Sequence, residues 1–264
     1  MQFITVDRKK CKRDGICMAE CPFGLIDESA DGGFPESRRA APRICIECGH
    51  CVAVCPHQAL TFKEQGPADC LPIDRKIAPT PAAVGQLLRS RRSIRTYKDK
   101  PVPRETLAEI LDICRWAPSV KNGQPTHWLM IESAAEMRRL TGIVVDWLRE
   151  NKSMPGVVTA WDEGRDLVLR HAPHLAIAHA SSKALKPDID CTIAMTYFDL
   201  AAHGLGLGTC WAGIFMGAAF SYQPLIEALK LPADHQLQGA LMLGYPKFRY
   251  QRIPQRHPLQ AEWR

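Results

Sequence analysis

At 264 residues the chain has room for one large domain, or for a small one and a medium one. With 46% hydrophobic and 23% charged residues it has the composition of a folded protein with a real core, which excludes a disordered chain. No apolar run approaches the roughly 18 residues that span a bilayer, and the opening MQFITVDRKK lacks the apolar stretch of a signal peptide. The expectation is therefore a cytoplasmic protein with no membrane partner. The net charge of +6 raises nucleic-acid binding, but residues 1–65 carry nine Lys/Arg against nine Asp/Glu, so the excess lies in the rest of the chain. No basic stripe interleaved with aromatics is found there, and a phosphate-bearing ligand or an acidic partner explains the charge equally well, so no nucleic-acid partner is expected.

Short strands are predicted at 2–6 and 59–63, bracketing cysteine-rich loops. Seven of the eleven cysteines fall before residue 56 in closely spaced runs, a pattern of metal binding in a reducing compartment rather than of disulfides. The first run is Cys11, Asp14, Cys17, Cys21 and Pro22; the second is Cys45, Cys48, Cys51, Cys55 and Pro56. Three thiolates at the second spacing wrap one face of an iron–sulfur cube, while the fourth, stopped by proline, points towards a second cluster. Zinc sites instead use two CxxC pairs separated by a longer loop.

Residues 1 to about 65 resemble the two-cluster bacterial ferredoxins. The resemblance implies one cluster held by Cys11, Asp14, Cys17 and Cys55, and another held by Cys45, Cys48, Cys51 and Cys21. Asp14 departs from the pattern. Either it ligates a labile iron of a 4Fe–4S cluster, since a hard carboxylate suits that iron less well than a thiolate, or it is a solvated turn residue beside a 3Fe–4S cluster.

From residue 64 to 82, EQGPADCLPIDRKIAPTPA carries four prolines and little periodicity, the composition of a linker. The boundary is expected near residue 75, giving domains 1–75 and 76–264. Pro103 opens a helix with Leu107, Ile110, Leu111 and Cys114 on its buried face, and Ala194, Tyr197, Phe198 and Ala201 repeat that spacing on a second helix. Strands are expected at His127–Ile131, His174–Ala178 and Leu237–Leu243, the last apolar enough to be central in its sheet. Residues 146–172 offer Trp147, Met154 and Trp161 as walls for a substrate pocket. His171, His174, His179 and His203 lie at no metal-ligand spacing. Of the remaining cysteines, Cys70, Cys114, Cys191 and Cys210, none is given a catalytic role, and packing is the default for Cys114.

Four segments carry a second resemblance: RSRRSIRTY at 89–97, APSVKNGQPTHWLMI at 117–131, GLGTCWAGIF at 206–215 and LMLGYP at 241–246. In this order they resemble the FMN-dependent nitroreductase family over about residues 82–258. The implied fold is an α+β domain with a central mixed sheet flanked by helices, forming an intertwined homodimer. On the resemblance Arg91, Arg92 and Ser93, with Arg252 of YQRIP, contact the FMN phosphate and ribityl chain, chemistry that suits forked guanidinium donors. Pro118, Ser119, Asn122 and Gln124 form a loop covering the flavin of the partner subunit. Backbone N–H groups of Ala212 and Gly213 reach the flavin N5 edge, and Gly204, Gly206, Gly208 and Gly213 suit close approach to a flat ring.

The expected function is an oxidoreductase with two iron–sulfur clusters and FMN that reduces a small unsaturated or nitro-bearing substrate, served by a one-electron protein partner such as a ferredoxin or flavodoxin. Two alternatives stay open: an electron-transfer adaptor between proteins, and flavin oxidation of a substrate with the clusters as the outlet. The sequence assigns no catalytic residue and fixes neither the substrate nor the direction of electron flow.

Overall fold

The computed structural model describes residues 3–264, and the chain divides into two compact units between Ala78 and Pro79. The first unit runs β1 (Ile4–Val6), α1 (Ile16–Glu20), β2 (Ile26–Glu28), β3 (Pro35–Ser37), α2 (Ala41–Ile44), α3 (His50–Ala53) and β4 (Leu60–Phe62). β1 pairs antiparallel with β4, placing Ile4 opposite Phe62, and β2 pairs antiparallel with β3. The strand expected from Gln2 starts at Ile4, and Gln2 itself lies outside the described residues.

The duplication in the cysteine runs is also a duplication of backbone. Arg13 and Glu47 both take positive φ (57° and 54°), as do Gly15 and Gly49 (73° and 72°) and Gly24 and Gln58 (56° and 51°). The same left-handed kinks turn each CxxC-like loop into its short helix, α1 or α3, whose preceding residue is the glycine that adopts this conformation without a steric penalty. The core here is small, built on Ile4, Cys17, Ile26, Val52, Leu60 and Phe62.

The second unit runs α4 (Pro81–Ser90), α5 (Arg104–Cys114), β5 (His127–Ile131), α6 (Ala134–Glu150), α7 (Pro155–Asp162), β6 (His174–Ser181), α8 (Pro187–Gly204), β7 (Gly208–Trp211), α9 (Gly213–Ala219), α10 (Gln223–Leu229) and β8 (His235–Gly244). Thr80 caps α4 by accepting the Ala83 N–H at 3.2 Å, and Pro81 follows at the first helical position, where a missing N–H costs nothing. The sheet order is β5-β6-β8-β7, with every strand pair antiparallel, so β8 is internal as its apolar sequence predicts. Its mixed character rests on one parallel bridge, between Ser93 and Thr209.

Helices cover both faces, and the period-two alternation of the strands sorts the core residues between them. Leu175 and Ile177 of β6, with Ala240 and Met242 of β8, pack in one core with α6, α9 and α10. Ala176, Ala178, Leu241 and Leu243 pack on the other side with α5 and α8. The expected face of α5 is buried at Leu107, Ile110 and Cys114, with Leu111 half-buried. On α8 the buried apolar residues are Cys191, Ala194, Met195, Phe198 and Ala202, whereas Tyr197 is 36% exposed. The buried stripe is thus turned one position from the expected one, because Met195 and Phe198 are what meet the sheet. Of the residues expected to wall a substrate pocket, Trp147 and Trp161 are half-buried against the first core and Met154 is exposed. Among the described residues no helix is long and apolar enough to cross a membrane.

Candidate functional site

The first unit holds two hollows that divide the eight expected metal ligands into two sets. One is lined by Cys11, Asp14, Cys17 and Cys55, the other by Cys21, Cys45, Cys48 and Cys51. Each set draws three ligands from one run and its fourth from the other, because the chain crosses between hollows at the end of each short helix. Backbone N–H groups are aimed at the sulfurs: Leu25 N–H donates to Cys21 Sγ at 3.3 Å, Ala59 N–H to Cys55 Sγ at 3.4 Å and Glu47 N–H to Cys45 Sγ at 3.4 Å. Such donors favour the thiolate form that binds iron. Burial acts the other way, raising Cys17 and Cys45 and pushing Cys51 up to about 11, with the neighbouring thiols adding repulsion. The donor set therefore fits a cationic iron–sulfur core, which supplies the charge that buried thiolates need. Among the described residues no three His, Cys, Asp or Glu side chains are placed to hold a single metal ion.

In the second unit, three of the four nitroreductase-like segments meet. The Ile94 N–H donates to Thr209 O at 2.8 Å beside the Ser93–Thr209 bridge, and Lys98 N–H and Lys247 N–H fix the strip to Tyr245 O (2.8 Å) and Thr96 O (3.0 Å). Two glycines permit this contact: a Cβ on Gly208 would lie 2.3 Å from Ile94 Cγ1, and one on Gly244 would lie 2.6 Å from Pro173 and 2.9 Å from Tyr97. Gly208 thus serves packing of the first segment rather than approach to a flat ring. Gly204, Gly206 and Gly213 have open space around them. The Ala212 N–H donates to Ala240 O at 2.9 Å, so this group is engaged in the sheet and Gly213, the first residue of α9, carries the remaining N–H of the expected pair.

The expected phosphate residues separate. Arg92 and Arg252 line one cavity of about 860 Å3, together with Lys98, Lys247, Arg249 and His203. Arg92 Nε is buried there with no hydrogen-bond partner, a donor awaiting an acceptor. Lys98, Lys247 and Arg249 are not among the contacts expected from the family resemblance, although the last two stand in the basic tail after LMLGYP. Arg91 does not line this cavity. Its Nε lies 3.4 Å from Asp199 Oδ2, and Asp199 is a buried carboxylate that also accepts the Thr209 hydroxyl. Burial raises the Asp199 carboxyl, and Thr209 and Arg91 oppose that rise, so Arg91 answers a charge inside the protein.

Pro118, Ser119 and Gln124 lie elsewhere, around a hollow of about 270 Å3 against Cys114, Asp190 and Ala194. The Val120 N–H donates to Asp190 Oδ1 at 2.9 Å, tying the loop to α8, and Gln124 N–H donates to Ser119 Oγ at 2.9 Å. Lys121, Asn122 and Gln124 all take positive φ, a cluster of strained residues of the sort that marks functional loops. Within one chain this loop does not join the cavity of Arg92 and Arg252.

The histidines divide as packing groups. Ser90 Oγ lies 2.9 Å from His203 Nε2, and His174 Nε2 accepts the Val102 N–H at 2.8 Å. His171 Nε2 accepts the Asp166 N–H at 3.1 Å. His127, His179 and His235 stack where β5, β6 and β8 adjoin, and His179 Nδ1 is 2.8 Å from His235 Nδ1. Burial, aided by the two neighbouring imidazoles, pushes His179 down to about 4. The unfolded chain then takes up this proton near pH 6.5, before the folded chain does, so stability falls as pH drops from about 6.5 to 4, by at most about 3 kcal/mol. Melting of residues 79–264 measured across that range should show the slope in the parent protein and a flatter profile in His179→Gln.

Comparison with known proteins agrees with this division of the chain. A model of the nitroreductase family matches residues 88–245, and a model of a 4Fe-4S dicluster domain matches residues 9–60. The FMN reductase (NAD(P)H) of Bacillus subtilis is 28% identical over 177 residues, covering 66% of this chain and 70% of that protein. A nitroreductase with bound FMN from Bacteroides fragilis shares the fold at a TM-score of 0.53 and 23% identity, covering 68% of this chain and 98% of that one. One from Desulfitobacterium hafniense, also with bound FMN, shares it at 0.56 and 17% identity, covering 67% and 97%. The nitroreductase match takes in more than half of the residues, and the chain belongs to the nitroreductase family, with a 4Fe-4S dicluster domain ahead of it in the same polypeptide.

Proposed function

We propose that the chain is an FMN-dependent oxidoreductase whose first unit holds two iron–sulfur clusters that exchange electrons with the flavin. The observation that carries this reading is the pair of hollows, one lined by four cysteines and the other by three cysteines and Asp14, in one chain with a nitroreductase unit. When bound, FMN exchanges electrons singly or as a hydride pair, whereas the clusters exchange them singly. The cavity of about 860 Å3 suits a small cofactor or part of one, and its cations, with the orphaned Arg92 Nε, suit the phosphate dianion. The Gly213 N–H is the donor at the ring edge.

Two copies of the chain complete the site, the strained loop at Pro118, Ser119, Asn122 and Gln124 serving the flavin of the other copy. Its separation from the basic cavity within one chain supports this, as do Ile113 and Trp116, exposed at and beyond the end of α5, and Ile189 and Tyr197 on α8. The substrate is a small unsaturated or nitro-bearing molecule. The partner is an acidic one-electron carrier, steered by a positive excess that lies outside residues 1–65. Anaerobically purified protein should contain non-covalent FMN and about seven or eight irons per chain, as one complete and one altered ligand set require. A single cluster per chain, or zinc in place of iron, would contradict the reading.

A further inference from the structure

The internal repeat of the first unit allows one cluster site to be compared with the other. The second run places Cys48 where the first has Asp14, and the residue two beyond each crossing cysteine is Phe23 in the first half and His57 in the second. These two substitutions meet. Phe23 is 43% exposed and does not line the Cys21–Cys45–Cys48–Cys51 hollow, whereas His57 lines the other hollow together with Asp14. There His57 Nε2 lies 3.3 Å from Asp14 Oδ2, while Asp14 Oδ1 accepts the Ile16 N–H at 3.3 Å. Both hollows have apolar walls and some polar lining, Glu47 and His50 beside the all-thiol set and Lys12 and His57 beside the set that contains Asp14, so the difference between them lies in the Asp14–His57 pair itself.

We propose that His57 is a positioning residue that holds the Asp14 carboxylate at the fourth iron of its cluster and so sets how tightly that iron is retained. The inference rests on the cluster reading given above. A carboxylate is a weak match for this iron, and its side chain turns freely unless something fixes it. The imidazole fixes Oδ2 and the backbone fixes Oδ1, so the carboxylate meets the iron in one orientation, with the outer partner that ligating carboxylates normally have. The reaction it governs is uptake of one Fe2+ by the reduced three-iron core to give the four-iron core. No net electron transfer is needed: the neutral 3Fe–4S core and Fe2+ together carry the 2+ charge of the 4Fe–4S product.

The test measures Fe2+ affinity of the reduced three-iron form by titration, read out by electron paramagnetic resonance of the three-iron core after reoxidation. His57→Phe, which copies the other half of the repeat, should weaken Fe2+ binding by roughly 10–100-fold. His57→Gln keeps an N–H donor and should recover much of that loss. In an Asp14→Ala background, His57→Phe should have no further effect, because its action runs through the carboxylate. The second cluster, whose ligands are all thiolates, is the internal control for folding. Unchanged Fe2+ affinity in His57→Phe, or an equal loss with and without Asp14, would overturn the proposal while leaving the cluster assignment standing. A parent protein with neither cluster signal would overturn both.

Discussion

Removal of iron should unfold the first unit while residues 79–264 stay folded. The first unit has strands of three residues and helices of four or five, far below the dozen or so residues at which a helix begins to hold by itself. Its core rests on six buried side chains, one of them Cys17, and a domain this small usually needs metal or disulfides to be stable. Without iron the buried thiols keep their protons, since Cys51 titrates only at about 11, and nothing replaces the metal–sulfur bonds. Binding energy at such sites is folding energy, on the order of 10 kcal/mol for structural zinc. The second unit has two cores of its own. Hydrogen exchange before and after anaerobic chelation should therefore show protection lost up to residue 78 and retained beyond it. Full protection of the first unit after iron loss would show a fold independent of its clusters.

The second large effect concerns the basic cavity. Arg92→Ala and Arg252→Ala should each weaken FMN retention by about ten- to a hundredfold or more, since a charge-assisted hydrogen bond contributes roughly 1.5–3 kcal/mol. Arg91→Ala is expected to act differently. It leaves the buried Asp199 carboxylate without its cation and should destabilise the second unit and lower its melting temperature, the loss being less than the about 3–5 kcal/mol of a fully buried pair because the Arg91 side chain is 26% exposed. Flavin content after dilution, beside thermal melting, separates these outcomes. If Arg91→Ala releases flavin without loss of stability while Arg92→Ala does neither, the phosphate lies at Arg91 instead.

Elements whose physics is local were legible in the sequence. The resemblance to two-cluster ferredoxins implies two crossed ligand sets, and the same eight side chains line two hollows in the fold, while His127–Ile131 is a strand to the residue. What depends on a distant partner was not legible. Nothing near Arg91 in the chain announces Asp199, and nothing near Gly208 announces Ile94. The Ala212 N–H is engaged by Ala240, a residue of β8 that only the folded sheet brings near. On α8 the helical period was correct but the phase was not, since Tyr197 and Met195 are both apolar enough for the core and only the sheet decides between them. The pairing of His57 with Asp14 also needed the fold, although the repeat already marks both as departures.

The most direct test is anaerobic stopped-flow mixing of the oxidised protein with NADH, with NADPH and with a reduced acidic ferredoxin, following cluster and flavin absorbance together. The expected result is that the one-electron carrier reduces the protein faster than either nicotinamide, with cluster bleaching ahead of flavin bleaching and a rate that falls as salt screens the charges. Rapid flavin bleaching by NADH or NADPH, with the clusters reduced only afterwards, would contradict the proposed direction and make the first unit an electron outlet.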